Sequence, residues 1–88
     1  MKYEVLWYHE ATEQLFELTV LNSRQARRVM IAVRGAGMGQ RADLKKLAGS
    51  DEWRLRVGDW RVLFSFERVA QSLTVLTIRR RNEGTYRD

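Results

Sequence analysis

The 88-residue sequence contains no cysteine, no proline and one histidine. Without cysteine there is neither a disulfide nor a thiolate metal site, a composition that fits a reducing compartment. A lone histidine, His9, excludes a two-histidine acid/base pair within one chain. It is expected to cap a strand–helix junction or to lie exposed there. No H-E-x-x-H motif or Cys/His cluster marks a metal. Ser23, Ser50, Ser65 and Ser72 fall in no nucleophile motif. No apolar run approaches the length needed to span a bilayer, and no apolar h-region follows Met1-Lys2-Tyr3-Glu4-Val5 as a signal peptide requires. The expectation is a soluble, cytoplasmic chain that works without metal or other cofactor, and whose residues 1–88 form a single domain.

What the chain has in quantity is arginine. Sixteen Lys and Arg stand against eleven Asp and Glu, giving a net charge of +5, and thirteen of the sixteen are arginine. Residues 1–40 hold five bases and four acids, and residues 41–88 hold eleven and seven, so the excess lies in the second half. A basic surface attracts nucleic acid, an acidic membrane or an acidic protein. Arginine favours phosphate among these, because its planar fork binds phosphate oxygens in pairs.

Tyr3, Val5 and Trp7 alternate onto one face of a first strand within residues 2–8. From Glu10 the period changes: Ala11, Leu15, Leu18 and Leu21 recur at helical spacing, with Glu13, Gln14 and Glu17 turned outward. Ser23 is placed to cap a second helix, whose apolar stripe is Ala26, Val29, Met30 and Val33 and whose outward side carries Arg24, Arg27, Arg28 and Arg34. Gly35 is placed to end it. Residues 35–43 hold three glycines, but no Walker-type Gly-Lys-Ser/Thr follows, so they read as a flexible connector and not a phosphate cradle. After Leu44-Lys45-Lys46-Leu47 and a turn at 48–51, strands resume at 53–57, 60–66 and 73–78. Gly58-Asp59 and a turn near 69–72 join them. The order β-α-α-β-β-β predicts an α+β domain: a small antiparallel sheet with an N-terminal α-hairpin packed on one face.

A two-residue turn at Gly58-Asp59 fixes a register. Val57 pairs with Trp60, Arg56 with Arg61, Leu55 with Val62 and Arg54 with Leu63. Trp53, Leu55, Val57, Trp60, Val62 and Phe64 then share the helix-covered face, and Arg54, Arg56 and Arg61 emerge on the other. Like charges directly across a strand pair cost stability, which makes sense if an anion sits over them. Of Arg79, Arg80 and Arg81 at the end of the last strand, at least one must reach that face. Tyr86 is near enough to fold back over it, where it stacks on a base or handles a proton, or else packs the C-terminus onto the core.

These residues together resemble the RelE/ParE toxin superfamily over nearly the whole chain. The shared features are the first strand, the Ala11-x-x-x-Leu15-x-x-Leu18 helix and the Lys45-x-Leu47-x-Gly49 step. The most specific is the aromatic-Arg-x-Arg-Val-Gly-Asp-aromatic-Arg-Val stretch from Trp53 to Val62, and a basic strand end followed by Tyr86-Arg87 completes the set. The resemblance implies a toxin of a type II toxin–antitoxin system, in its RelE-like branch a metal-independent endoribonuclease that cuts ribosome-bound mRNA and inhibits translation. It implies catalytic roles for Arg61, Arg81 and Tyr86. Arg54, Arg56, Lys45, Lys46 and Arg80 are then expected to bind RNA phosphates. The interval from Arg81 to Tyr86 is one residue longer than the common Arg-x-x-x-Tyr, so either Arg80 or Arg81 fills the role at the strand end. Lysine is common where this chain has Arg54 and Arg56, and arginine is effectively never a neutral base.

The partners that the resemblance implies are a cognate antitoxin with an acidic, partly disordered segment, the ribosome and mRNA. Operator DNA is expected to be bound by the toxin–antitoxin complex through the antitoxin, and no membrane is involved. Two other functions use the same fold: a ParE-like poison of DNA gyrase, and a non-catalytic antitoxin-binding co-repressor.

Overall fold

The computed structural model describes residues 2–40 and 43–80. The first strand, β1 (Glu4–Trp7), leads directly into α1 (His9–Leu21), which buries Ala11 and Leu18. Leu21, expected in the same stripe, is exposed because it is the last residue of the helix. Helix α2 (Ser23–Gly37) buries Ala26, Val29 and Val33, whereas Met30 lies at the edge of that stripe and is exposed. Its N-cap is Asn22, one residue before the expected Ser23: the Asn22 Oδ1 accepts from the Gln25 backbone N–H at 3.1 Å. That bond satisfies one of the donors that a helix start leaves without a partner.

Gly35 does not end α2, which runs on to Gly37. Both glycines are buried there, and the reason is close packing. A Cβ on Gly37 would stand 2.9 Å from Val5 Cγ2 and 3.2 Å from the Tyr3 carbonyl, while the Tyr3 N–H donates to the Gly37 carbonyl at 2.7 Å. The bare backbone of α2 thus presses directly on β1, and part of the glycine-rich segment is helix, not connector.

Four further strands follow: β2 (Leu44–Lys46), β3 (Glu52–Val57), β4 (Trp60–Glu67) and β5 (Ser72–Arg80). They form one sheet with β1 in the order β1-β5-β4-β3-β2. Two features differ from the expected antiparallel sheet. Leu44–Lys46 pairs with β3 as a short edge strand, and β1 pairs with β5 in parallel. A parallel pair needs a long crossover, which the α-hairpin and the three intervening strands supply.

The β3–β4 hairpin has the expected register throughout, from Val57↔Trp60 to Trp53↔Phe64. Gly58 takes a left-handed φ of 58° and Asp59 does not, as a Gly-X turn demands. Between β4 and β5 the register shifts at Leu63/Phe64: Leu63 pairs with Thr77 and Phe64 with Val75, leaving Leu76 as the extra residue of a β-bulge.

Val29 and Val33 of α2 are buried with Val62, Phe64, Leu73 and Val75 of the sheet, so both helices cover a single face. β1 ends beside Val75, and beyond it the edge of β5 is covered by α1. Gln14, expected to point outward, accepts there through Oε1 from the Ile78 N–H at 2.6 Å and from the Thr77 hydroxyl at 3.1 Å. No helix among the described residues is long and apolar enough to cross a membrane.

Candidate nucleic-acid interface

Strand alternation decides which side chains reach the face away from the helices. On β3 these are Glu52, Arg54 and Arg56, and on β4 Arg61, Leu63, Ser65 and Glu67. Because Arg61 pairs with Arg56 on one side and Arg79 on the other, three arginines stand abreast across three strands, at a strand spacing of about 4.8 Å. The next row holds Lys45, Arg54, Leu63 and Thr77. The acids on the strands of this face, Glu4, Glu52 and Glu67, lie in the rows at its other end, while Asp43, just before β2, accepts through its backbone carbonyl from the Arg56 N–H at 3.2 Å. The face is therefore polarised along the strands, with its cationic end at the Gly58 turn.

Arg54 and Arg61 are half-buried, and the Nε of both and the Nη1 of Arg61 are shielded from solvent. Arg54, Arg61 and Arg79 each make at least one further interaction. Arg56 is exposed. Guanidiniums with cationic neighbours one strand away, two of them half-buried, concentrate positive potential where a phosphate can be gripped by several forks.

Of the expected site residues, Arg54, Arg56, Arg61 and Lys45 come together on this face. Lys46 and Arg80 do not. Lys46 pairs with Trp53 and points to the helix side. It lines a cavity of about 730 Å³ whose walls include Tyr3, Trp53 and Phe66. Arg80 pairs with Trp60, also on the helix side, with its guanidinium carbon 6.0 Å from the Trp60 ring centroid. Arg79 takes the position on the arginine face, and the reason is the bulge. Simple alternation from Leu73 and Val75 would put Arg80 there, but the extra Leu76 reverses the parity of everything after it. The adjacent apolar pair Val75-Leu76, which interrupts an otherwise alternating Leu-Thr-Val-Leu-Thr-Ile run, is the sequence signal that marks this slip. Arg81 and Tyr86 lie outside the described residues. His9 is exposed at the start of α1, its ring 4.8 Å from that of Tyr8. No group of three or more potential metal ligands occurs among the described residues.

No family model and no curated protein sequence matches this chain. Solved structures do. A chain of the toxin–antitoxin complex RelBE2 from Mycobacterium tuberculosis superposes with a TM-score of 0.78 at 19% identity, over 92% of this chain and 100% of its own. A chain of the archaeal RelE–RelB complex from Pyrococcus horikoshii OT3 gives 0.73 at 24% identity, over 96% and 100%. The YoeB/ParE toxin from Agrobacterium tumefaciens gives 0.77 at 16% identity, over 88% and 96%. The superpositions run nearly end to end, and this chain has the fold of the RelE/ParE-type toxins.

Proposed function

We propose that this chain is the toxin of a type II toxin–antitoxin pair and acts as an endoribonuclease on ribosome-bound mRNA. The observation that carries this reading is the row Arg56, Arg61, Arg79 on the face away from the helices, with Arg54 and Lys45 in the row behind it. The reaction that fits such a surface is attack of an RNA 2′-hydroxyl on its neighbouring phosphate. The 2′-oxygen bonds to phosphorus, the bond from phosphorus to the 5′-oxygen breaks, and the proton lost by one oxygen is gained by the other. The products are a cyclic 2′,3′-phosphate and a free 5′-hydroxyl. The pentavalent phosphorane carries more negative charge than the diester, so fixed guanidiniums lower its energy more than that of the ground state. Arg61, central in its row, is the main clamp, and Arg56 and Arg79 flank it. Arg54 and Lys45 hold the next phosphate of the strand. Arginine does not serve as a neutral base, so proton transfer falls to another group, and Tyr86 is the residue assigned to it or to stacking on the nucleotide. Arg81 extends the clamp.

The neutralising partner in this reading is an antitoxin, as in the two toxin–antitoxin complexes that share the fold. It also carries the pair to operator DNA. The neighbour described as a YoeB/ParE toxin keeps gyrase poisoning as the competing outcome. Expression from a tight promoter, with mapping of RNA 5′ ends, separates the two. Clustered in-frame cuts with 5′-hydroxyl ends are expected. Intact mRNA accompanied by DNA damage would replace the ribonuclease with the gyrase poison.

A further inference from the structure

The two helices differ sharply in charge. Helix α1 contains Glu10, Glu13 and Glu17 and no Lys or Arg, whereas α2 contains Arg24, Arg27, Arg28 and Arg34 and no acid. All seven side chains are exposed. The α1 glutamates and α2 arginines form no ion pair with one another among the described residues. Helical periodicity places Phe16 and Val20 opposite the buried face of α1, and Ile31 opposite that of α2. Phe16 is 69% exposed and Ile31 62%. The outer surface of the α-hairpin is thus an apolar ridge with acids on one helix beside an apolar ridge with arginines on the other.

We propose that this surface binds a second copy of the chain across a two-fold axis. A self-complementary face of this kind is what an isologous dimer requires, and exposed apolar side chains rimmed by charge are the usual mark of a protein contact. A nucleic-acid backbone would use the arginines but would leave Phe16 and Ile31 without a function. The orientation follows from the charges. With a two-fold axis in the interface plane and perpendicular to the helices, α1 would lie on the partner's α1, glutamate against glutamate. With the axis parallel to the helices, α1 lies antiparallel over α2 of the second copy, and α2 over its α1. Both helices leave the turn at Asn22 with the same rise per residue, so equal counts from it bring Glu17 level with Arg27 of the second copy and Glu10 level with its Arg34. Both arginine faces of the sheets then remain on the outside. The net charge of +5 per copy opposes association as a whole, and the local complementarity of α1 and α2 offsets it at the interface.

Sedimentation equilibrium of the whole chain over a range of concentrations tests this, with two charge-reversed variants: Glu10→Arg/Glu17→Arg and Arg27→Glu/Arg34→Glu. The wild type is expected to approach twice its monomer mass. Each variant alone should weaken association at least about a hundredfold, since like charges then face each other in both halves of the interface. Mixed in equal amounts, the two variants should restore a dimer, because the reversed α1 meets the reversed α2 in one half of the interface and the unaltered helices meet in the other. Circular dichroism establishes that each variant is folded. A wild type that stays monomeric as concentration rises, a variant that still dimerises alone, or a mixture that stays monomeric would each overturn the proposal. None of these outcomes depends on whether the chain cleaves RNA.

Discussion

The two faces of the β3–β4 hairpin are built from alternate residues of the same strands and do opposite work. One face, Leu55, Val57, Val62 and Phe64, is buried under the helices. The other, Arg54, Arg56 and Arg61, sets like charges against one another. Period-two alternation lets one short segment carry the main apolar contact and a cationic surface at once, and it confines the electrostatic cost to the side where water and anions can offset it. Stability and the proposed function are therefore separable by parity.

The strongest test of that separation is Phe64→Ala. Phe64 is fully buried, and its truncation should cost about 3–5 kcal/mol, a large fraction of the stability of a small domain. Leu55→Ala should follow at about 2–5 kcal/mol. Thermal or urea unfolding gives both values, and an unchanged midpoint for either would reverse the assignment of the faces. Arg61→Ala should act in the opposite sense. Loss of one clamp on a charged transition state typically lowers the rate about 10²–10³-fold, so RNA cleavage and growth inhibition should collapse while the unfolding midpoint moves little. Arg79→Ala should do the same, and Arg80→Ala should not. Equal effects of Arg79→Ala and Arg80→Ala would show that the bulge does not select between them.

A smaller effect is expected at Gln14, which covers the edge of β5 beyond β1. Gln14→Leu should cost about 1–3 kcal/mol, because the Ile78 N–H would lose its acceptor in a part-buried place. Hydrogen exchange at that amide gives a direct reading, and unaltered protection would mean that the glutamine is not what covers the edge. The smallest change, and the one of opposite sign, is Arg56→Thr. Relieving the cross-strand pair with Arg61 should raise stability by about 0.2–1 kcal/mol even as RNA binding weakens.

The register of β3 against β4 was legible without coordinates because every term in it is local. Trp53, Leu55 and Val57 alternate with arginines, Gly58-Asp59 closes a two-residue turn, and turn length fixes the pairing. The helices were legible from their period, though not their ends. Asn22 displaced Ser23 as the cap, and Gly35 lies inside the helix because α2 and β1 pack too closely at Gly37 for a side chain. The short β2 is not legible in this way, because three residues, two of them lysine, carry almost no periodicity. Nor is the role of Gln14, because a glutamine off the apolar stripe of a helix reads like any solvated polar residue until a strand edge is set beside it.

The two-faced hairpin and its arginines follow from local sequence, since alternation and a tight turn act over a few bonds and need no distant partner. Everything that depends on how β5 meets the rest of the sheet needs the assembled fold. The parallel seat of β1 beside β5, the Gln14 cover and the choice of Arg79 over Arg80 are all of this kind. The last turns on a single inserted residue. Leu76 bulges between two stretches of β5 that must both present apolar side chains to the helices, Leu73 and Val75 before it and Ile78 after it. Burying all three requires a change of parity between them, and that change turns Arg79 toward Arg61 and Arg80 toward Trp60.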